Sequence, residues 1–210
     1  MPQALEIALV VEDALSLAVM ERLLAFTGRG YVVKLEKVER GFSKILKSIP
    51  KYRNASLVLP HVVLTDLDLG VCASALRAQW GVSQLPPAML FRVAVREVEA
   101  WLLADRAGFA EFAGIASNKV TQQPESLPDP KQTLINLVRR SRNRRLATEL
   151  VPPAGSAVSI GPLYNERLSA FARSDWNVNV AMASAPSLNR TVARLHTFLA
   201  PLSDQFIEVA

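Results

Sequence analysis

Val62-Val63-Leu64-Thr65-Asp66-Leu67-Asp68 decides the fold: it is an apolar run without alternation that ends in two carboxylates two residues apart. A strand with one face in water alternates polar and apolar residues, so an unbroken run marks a strand covered by helices on both faces of a parallel sheet. Towards the N-terminus, residues 7–11 repeat the design and lead into Glu12 and Asp13. Asp13 can cap a helix in which Leu15, Val19, Leu23 and Phe26 recur at helical spacing, and Gly28 and Gly30 stop it. Tyr31, Val33 and Leu35 alternate with Val32, Lys34 and Glu36, a strand pattern suited to a sheet edge. Residues 41–49 read as a short helix ended by Pro50. Towards the C-terminus the pattern predicts a helix over about 71–80, a strand over 90–95, and then Glu97-Val98-Glu99-Ala100-Trp101-Leu102-Leu103. Strand and helix in alternation make this an α/β protein with a mostly parallel sheet flanked by helices.

After Asp105 the texture changes. Pro124, Pro128 and Pro130 punctuate a polar loop, and helices are predicted near 131–140, 163–173 and 188–199, with one edge strand near 178–182. The expected organisation is an α/β core over 1–105 with a helical C-terminal region, 106–210, packed on the same domain.

Half of the 210 residues are hydrophobic and 20% are charged, enough to bury a core and too apolar for a disordered chain. A single cysteine, Cys72, excludes an internal disulfide, and two histidines leave too few ligands for a Cys/His zinc site. The first basic residue is Arg22 and Glu6 breaks the first apolar stretch, which does not fit a secretion signal. The longest uncharged run, 150–165, holds Pro152, Pro153 and Pro162, so no membrane span is expected and a cytoplasmic location is. The net charge of +5 permits an anionic partner such as nucleic acid.

Ligands of an open parallel sheet sit beyond the carboxyl ends of its strands, and three such ends are acidic here: Glu12 with Asp13, Asp66 with Asp68, and Glu97 with Glu99. While the backbone stays extended, Asp66 and Asp68 point the same way, roughly 6.5 Å apart. Crowded carboxylates repel unless they are protonated or share a cation, and Mg²⁺ or Mn²⁺ takes such oxygen ligands. Metal-assisted phosphodiester chemistry is the natural candidate. The competing reading is local: Asp13 and Asp68 as helix caps, Glu12 as a solvated strand end, and Glu97 and Glu99 as first-turn acids favoured by the helix dipole. If both are helical, Glu97 and Glu99 lie about 200° apart and cannot serve one ion; if the strand extends to Glu99, they can.

Val10-Val11-Glu12, Thr65-Asp66-Leu67-Asp68 and Val95-Arg96-Glu97-Val98-Glu99-Ala100-Trp101-Leu102-Leu103-Ala104-Asp105, with Asp129-Pro130-Lys131, Gly161-Pro162-Leu163-Tyr164 and Ser184-Ala185-Pro186-Ser187-Leu188, resemble a family of uncharacterised bacterial proteins with a Toprim-like fold, related to the overcoming-lysogenization-defect nucleases. The resemblance spans nearly the whole chain. It implies a Toprim-like Rossmannoid core, with Glu12 as the Toprim glutamate and Asp66 and Asp68 as the Asp-x-Asp pair that holds Mg²⁺. It further implies a metal-dependent endonuclease or phosphodiesterase, in a phage-defence or related system, with an ATPase partner. Asp13 stands where Toprim glutamates are usually followed by glycine, so a side chain and a charge replace open backbone at that turn. Taken together, the expected metal ligands are Glu12, Asp66, Asp68, Glu97 and Glu99, and the expected catalytic set is Glu12, Asp66, Asp68, Glu97 and Lys131, whose ammonium could stabilise transition-state charge. A non-catalytic module serving an ATPase is the rival. A receiver domain, phosphorylated on Asp66 with Glu12 and Asp13 holding the metal, ranks behind it, because Arg96 stands near where the receiver lysine is required and the second half is left unexplained.

Five arginines fall within seven residues: Arg139, Arg140, Arg142, Arg144 and Arg145. On a helix they would surround the axis, so they must meet solvent or an anion. Nucleic-acid phosphate is the functional reading, and a solvated helix end the alternative. Trp101 and Cys72 are expected in the core, and His61 as a packed or hydrogen-bonded histidine.

Overall fold

The computed structural model describes residues 4–199. Four parallel strands, β1 (Leu5–Val11), β2 (Tyr31–Val38), β3 (His61–Asp66) and β4 (Met89–Ala94), form one sheet in the order β2-β1-β3-β4. The continuous apolar runs became the two central strands. Ile7 to Val11 are at most 1% exposed because both faces of β1 are covered. Alternate residues supply different cores: Ile7, Leu9, Val11, Val62 and Leu64 face one helical layer, while Val10, Val63 and Phe91 face the other. The alternating β2 is an edge strand, and its register with β1 shifts once, between Ile7 and Ala8.

The first layer holds α1 (Ala14–Phe26) and α4 (Val98–Ala104) together with most of the C-terminal helices; the second holds α2 (Phe42–Ala55) and α3 (Ala73–Gln79). Asp13 caps α1, its Oδ1 accepting from the Ser16 N–H at 2.7 Å, and Gly28 beyond the helix end adopts the left-handed φ of 65° that glycine tolerates. Pro50 does not end α2 but lies inside it, and the helix runs on to Ala55. Ile45, Ile49 and Tyr52 are buried against β3 and its neighbours on either side of the proline, and this packing outweighs the missing N–H. Cys72 is exposed rather than buried; it caps α3, its Sγ accepting from the Ala75 N–H.

The second half is helical, as expected: α5 (Arg106–Ala113), α6 (Pro130–Arg139), α7 (Arg144–Leu150), α8 (Tyr164–Ser174), α9 (Val178–Met182) and α10 (Pro186–Thr197). The predicted edge strand over 178–182 is instead the short helix α9: Asn177 caps it and buries Val178 and Ala181 at helical spacing. Helix α5 was not anticipated. It follows α4 after a single residue, Asp105, whose Oδ1 accepts from the Gly108 N–H at 3.1 Å and whose Oδ2 accepts from the Asn177 N–H at 2.9 Å. A Cβ on Gly108 would lie 2.2 Å from that carboxylate, so glycine is what lets the turn close. Asp105 is 2% exposed, and Asp105→Ala removes the acceptor of both N–H groups. The expected loss is about 2 kcal/mol, measured by urea unfolding, whereas an exposed Asp→Ala would cost almost nothing.

Helix α8 packs on α1, and one apolar cluster runs from β1 through α10. Trp101 and Trp176, both fully buried, join the halves: Trp101 Nε1 donates to Ser187 Oγ at 2.7 Å, and Trp176 Nε1 donates to the Trp101 carbonyl at 3.2 Å. No described helix is long and apolar enough to cross a membrane. Residues 200–210, the end of the expected C-terminal region, lie outside the described residues.

Candidate functional site

The order β2-β1-β3-β4 makes β1 and β3 neighbours, so Glu12 and Asp66 meet at their carboxyl ends. The Asp66 N–H donates to Glu12 Oε1 at 2.9 Å, and the Thr65 hydroxyl donates to the same oxygen. Burial raises the Glu12 carboxyl above its usual value although both donors oppose it. Asp66 Oδ1 accepts from the Val98 N–H at 3.2 Å, the first amide of α4. Burial, with Glu99, Glu12, Asp13 and Asp68 around it, holds the Asp66 carboxyl well above the ordinary aspartate range.

Asp68 does not extend the strand. Its φ is +48°, so the same-side alternation expected of Asp66 and Asp68 breaks, and Leu67 turns into the second core. Nor does it cap a helix, because α3 starts only at Ala73. Arg96, at φ +65°, holds this turn: its carbonyl accepts from the Asp68 N–H at 2.8 Å and its Nη1 donates to the Asp68 carbonyl at 3.0 Å. Burial and Glu97 raise the Asp68 carboxyl, against Lys131.

Strand β4 ends at Ala94, and Glu97 is the extended N-cap residue of α4 while Glu99 lies in its first turn. Both nevertheless reach one group. Lys131 Nζ stands 3.2 Å from Glu97 Oε1 and 3.6 Å from Glu99 Oε1, and the Lys131 N–H donates to Glu97 Oε2 at 3.0 Å. Burial pulls the Lys131 ammonium down, but Glu99, Glu97 and Asp66 outweigh it and hold it above the ordinary lysine range. Glu97 therefore sits at the N-terminus of α6, where peptide dipoles favour an anion. Glu99 is 1% exposed and accepts from the Tyr164 hydroxyl at 3.0 Å, while its Oε2 is buried with no partner. Burial, opposed by Lys131 and aided by Glu97, raises the Glu99 carboxyl to about 7.

The rim thus gathers Glu12, Asp66, Asp68, Glu97, Glu99 and Lys131, but unevenly. Among the described residues no three acidic, histidine or cysteine side chains stand close enough to hold one ion. Glu12 and Asp66 are the pair that the backbone joins; Glu97 and Glu99 are committed to Lys131. The sequence reading missed Thr65 and Tyr164 as partners of the acids. Tyr164 was visible only as the end of Gly161-Pro162-Leu163-Tyr164, and nothing local tells that its hydroxyl meets a glutamate 65 residues earlier.

The arginine run is not one helix. Arg139 ends α6 and Arg144 begins α7, with Asn143 accepting from the Leu146 N–H at 3.1 Å. All five arginines are exposed. Arg145 pairs with Glu149 at 3.0 Å and Arg139 donates to Asn136 Oδ1 at 3.0 Å, while Arg140 and Arg142 line a cavity of about 500 Å³ with Lys119. His61 is buried, its Nδ1 2.6 Å from the Leu59 carbonyl. Comparison with protein-family models, curated proteins and solved structures finds no match to this chain.

Proposed function

We propose that the acidic rim hydrolyses phosphodiester bonds of nucleic acid with the aid of a divalent cation, Mg²⁺ or Mn²⁺, in the manner of a Toprim nuclease. One observation carries the reading: the ends of two adjacent parallel strands bring Glu12 and Asp66 together, the Asp66 N–H donating to Glu12 Oε1 at 2.9 Å, with both carboxyls held above their usual range by burial and neighbouring carboxylates. A pair so placed is relieved by a cation, and Mg²⁺ is commonly held by one or two carboxylates and by waters. The donor set is all oxygen, which fits the ion; Glu12 and Asp66 would hold it, with Asp68 beside them. When bound, the cation would neutralise this charge and polarise a phosphate. Thr65 and the Asp66 N–H fix Oε1 of Glu12, leaving Oε2 free for a ligand. Lys131, held by Glu97 and Glu99, supplies a cation for charge developing on phosphate oxygens. Exposed Arg140 and Arg142 would add contacts to the nucleic-acid backbone.

A second reading, a non-catalytic module serving an ATPase partner, draws on the absence of a three-ligand cluster among the described residues. Metal titration separates the two. Hydrolysis requires a rise in melting temperature with Mg²⁺ or Mn²⁺ that Asp66→Asn abolishes, because a ligand of the native state must stabilise it. It also requires nicking of DNA or RNA that falls at least tenfold in Asp68→Ala with the circular dichroism unchanged. Equal nicking in that variant defeats the catalytic reading, and a melting temperature indifferent to metal favours the module.

A further inference from the structure

A second charged constellation lies on the β4 edge and shares no residue with the acidic rim. Arg92 is a guanidinium inside an otherwise apolar strand, Met89-Leu90-Phe91-Arg92-Val93-Ala94, and its half-buried Nε donates to Thr191 Oγ1 of α10 at 3.2 Å. Arg77 of α3 is fixed beside it, Nη1 on the Phe91 carbonyl at 2.9 Å and Nη2 on the Val82 carbonyl at 3.0 Å. Arg190 and Arg194, one turn apart on α10, complete a recess of about 590 Å³ walled on its apolar side by Pro86 and Phe198.

None of the four arginines forms an ion pair among the described residues. Glu125, in the adjoining recess, is engaged by the Ser187 N–H and hydroxyl at 2.9 and 2.6 Å. Four like charges around one hollow repel, and burial together with Arg77, Arg194 and Arg190 pushes the Arg92 guanidinium down to about 10. It stays charged at neutral pH, and an anion in the recess would offset the repulsion. Strand packing does not call for a guanidinium there, since a methionine would fill the same space without the penalty. Guanidinium forks match phosphate oxygens in geometry as well as charge. The volume falls within the range of roughly 300–1,000 Å³ for small-molecule sites.

We propose that this recess is a phosphate-binding site that takes a ligand of nucleotide size carrying at least two phosphate charges. The phosphate belongs to a free mononucleotide or to a nucleic-acid strand. Calorimetric titration of the full chain in EDTA tests the site without any metal, so its outcome is separate from that of the hydrolysis reading. Pyrophosphate, ADP, a short single-stranded oligonucleotide and sulfate are the probes, at constant ionic strength. The expected result is saturable binding of pyrophosphate and ADP that weakens at least tenfold in Arg190→Glu/Arg194→Glu. Both positions are exposed, so that variant should keep its melting temperature. Arg92→Met should weaken binding likewise. Tighter binding of ADP than of the oligonucleotide assigns the site to a mononucleotide, and the reverse order assigns it to a strand. Three results overturn the proposal: no binding of any phosphate probe, equal affinity in wild type and Arg190→Glu/Arg194→Glu, or sulfate binding as well as pyrophosphate.

Discussion

Trp101→Ala is expected to lower stability by about 4 kcal/mol, which for a chain of this size lowers the melting temperature by about 10 °C. The indole is fully buried in the middle of α4, where every residue of the helix is buried, so its removal opens a cavity that the surrounding helices cannot collapse to fill. The loss is more than volume. Trp101 Nε1 donates to Ser187 Oγ at 2.7 Å; that oxygen also accepts from the Val95 N–H at 3.1 Å and donates to Glu125 Oε1 at 2.6 Å. Trp101 is thus the hydrophobic centre of a polar knot that ties β4, α10 and the segment around Glu125. Trp101→Phe keeps the six-membered ring and loses the donor with the smaller ring, so it should cost about half as much. Chemical denaturation of the three proteins side by side checks the ordering. Trp101→Ala as stable as wild type would mean that the two halves are not packed through this residue.

Glu99→Gln should stabilise the protein by about 3 kcal/mol at pH 8 in EDTA and leave it unchanged near pH 4. The Glu99 carboxyl rises from an ordinary value of 4.5 to about 7 on folding, chiefly through burial. Between those values the native state holds a proton that the unfolded chain releases, so wild-type stability falls as the pH climbs through this window and is level above it. The interval corresponds to about 3 kcal/mol at 1.36 kcal/mol for each tenfold step in acidity. Glutamine keeps an oxygen for the Tyr164 hydroxyl and carries no charge to bury, and Glu97 remains to pair with Lys131. Urea unfolding from pH 4 to pH 8 reads both arms. Parallel curves for wild type and Glu99→Gln would show that Glu99 is ionised throughout, with Lys131 carrying it.

The parallel core was legible because period is a local property: an unbroken run at 62–65 fits a doubly covered strand, and alternation at 31–36 fits an edge. The acidic strand ends followed from the same reading, since a parallel sheet places all its carboxyl ends on one rim. Other features depended on distant contacts. Pro50 stays helical because Ile45 and Tyr52 have a sheet to pack on, which no propensity near residue 50 reveals. Residues 178–182 have the apolar alternation of a strand, and the Asn177 cap, itself held by Asp105, makes them a helix instead. Asp68 turned left-handed through its exchange of hydrogen bonds with Arg96, 28 residues away. Arg92 left a legible trace, a charge in an apolar strand, but its significance needed Arg77, Arg190 and Arg194 beside it.

The glutamates of α4 are neutralised from outside the sheet: their counter-ion comes from α6 and their hydroxyl partner from α8. A fragment cut after Asp105 would keep every rim carboxylate yet lose the ammonium and the phenol that make their crowding bearable, and would bare the apolar side of α4 to water. The acidic end of the sheet and its helical cover are for this reason a single structural unit, in which the charge of one is balanced by groups of the other.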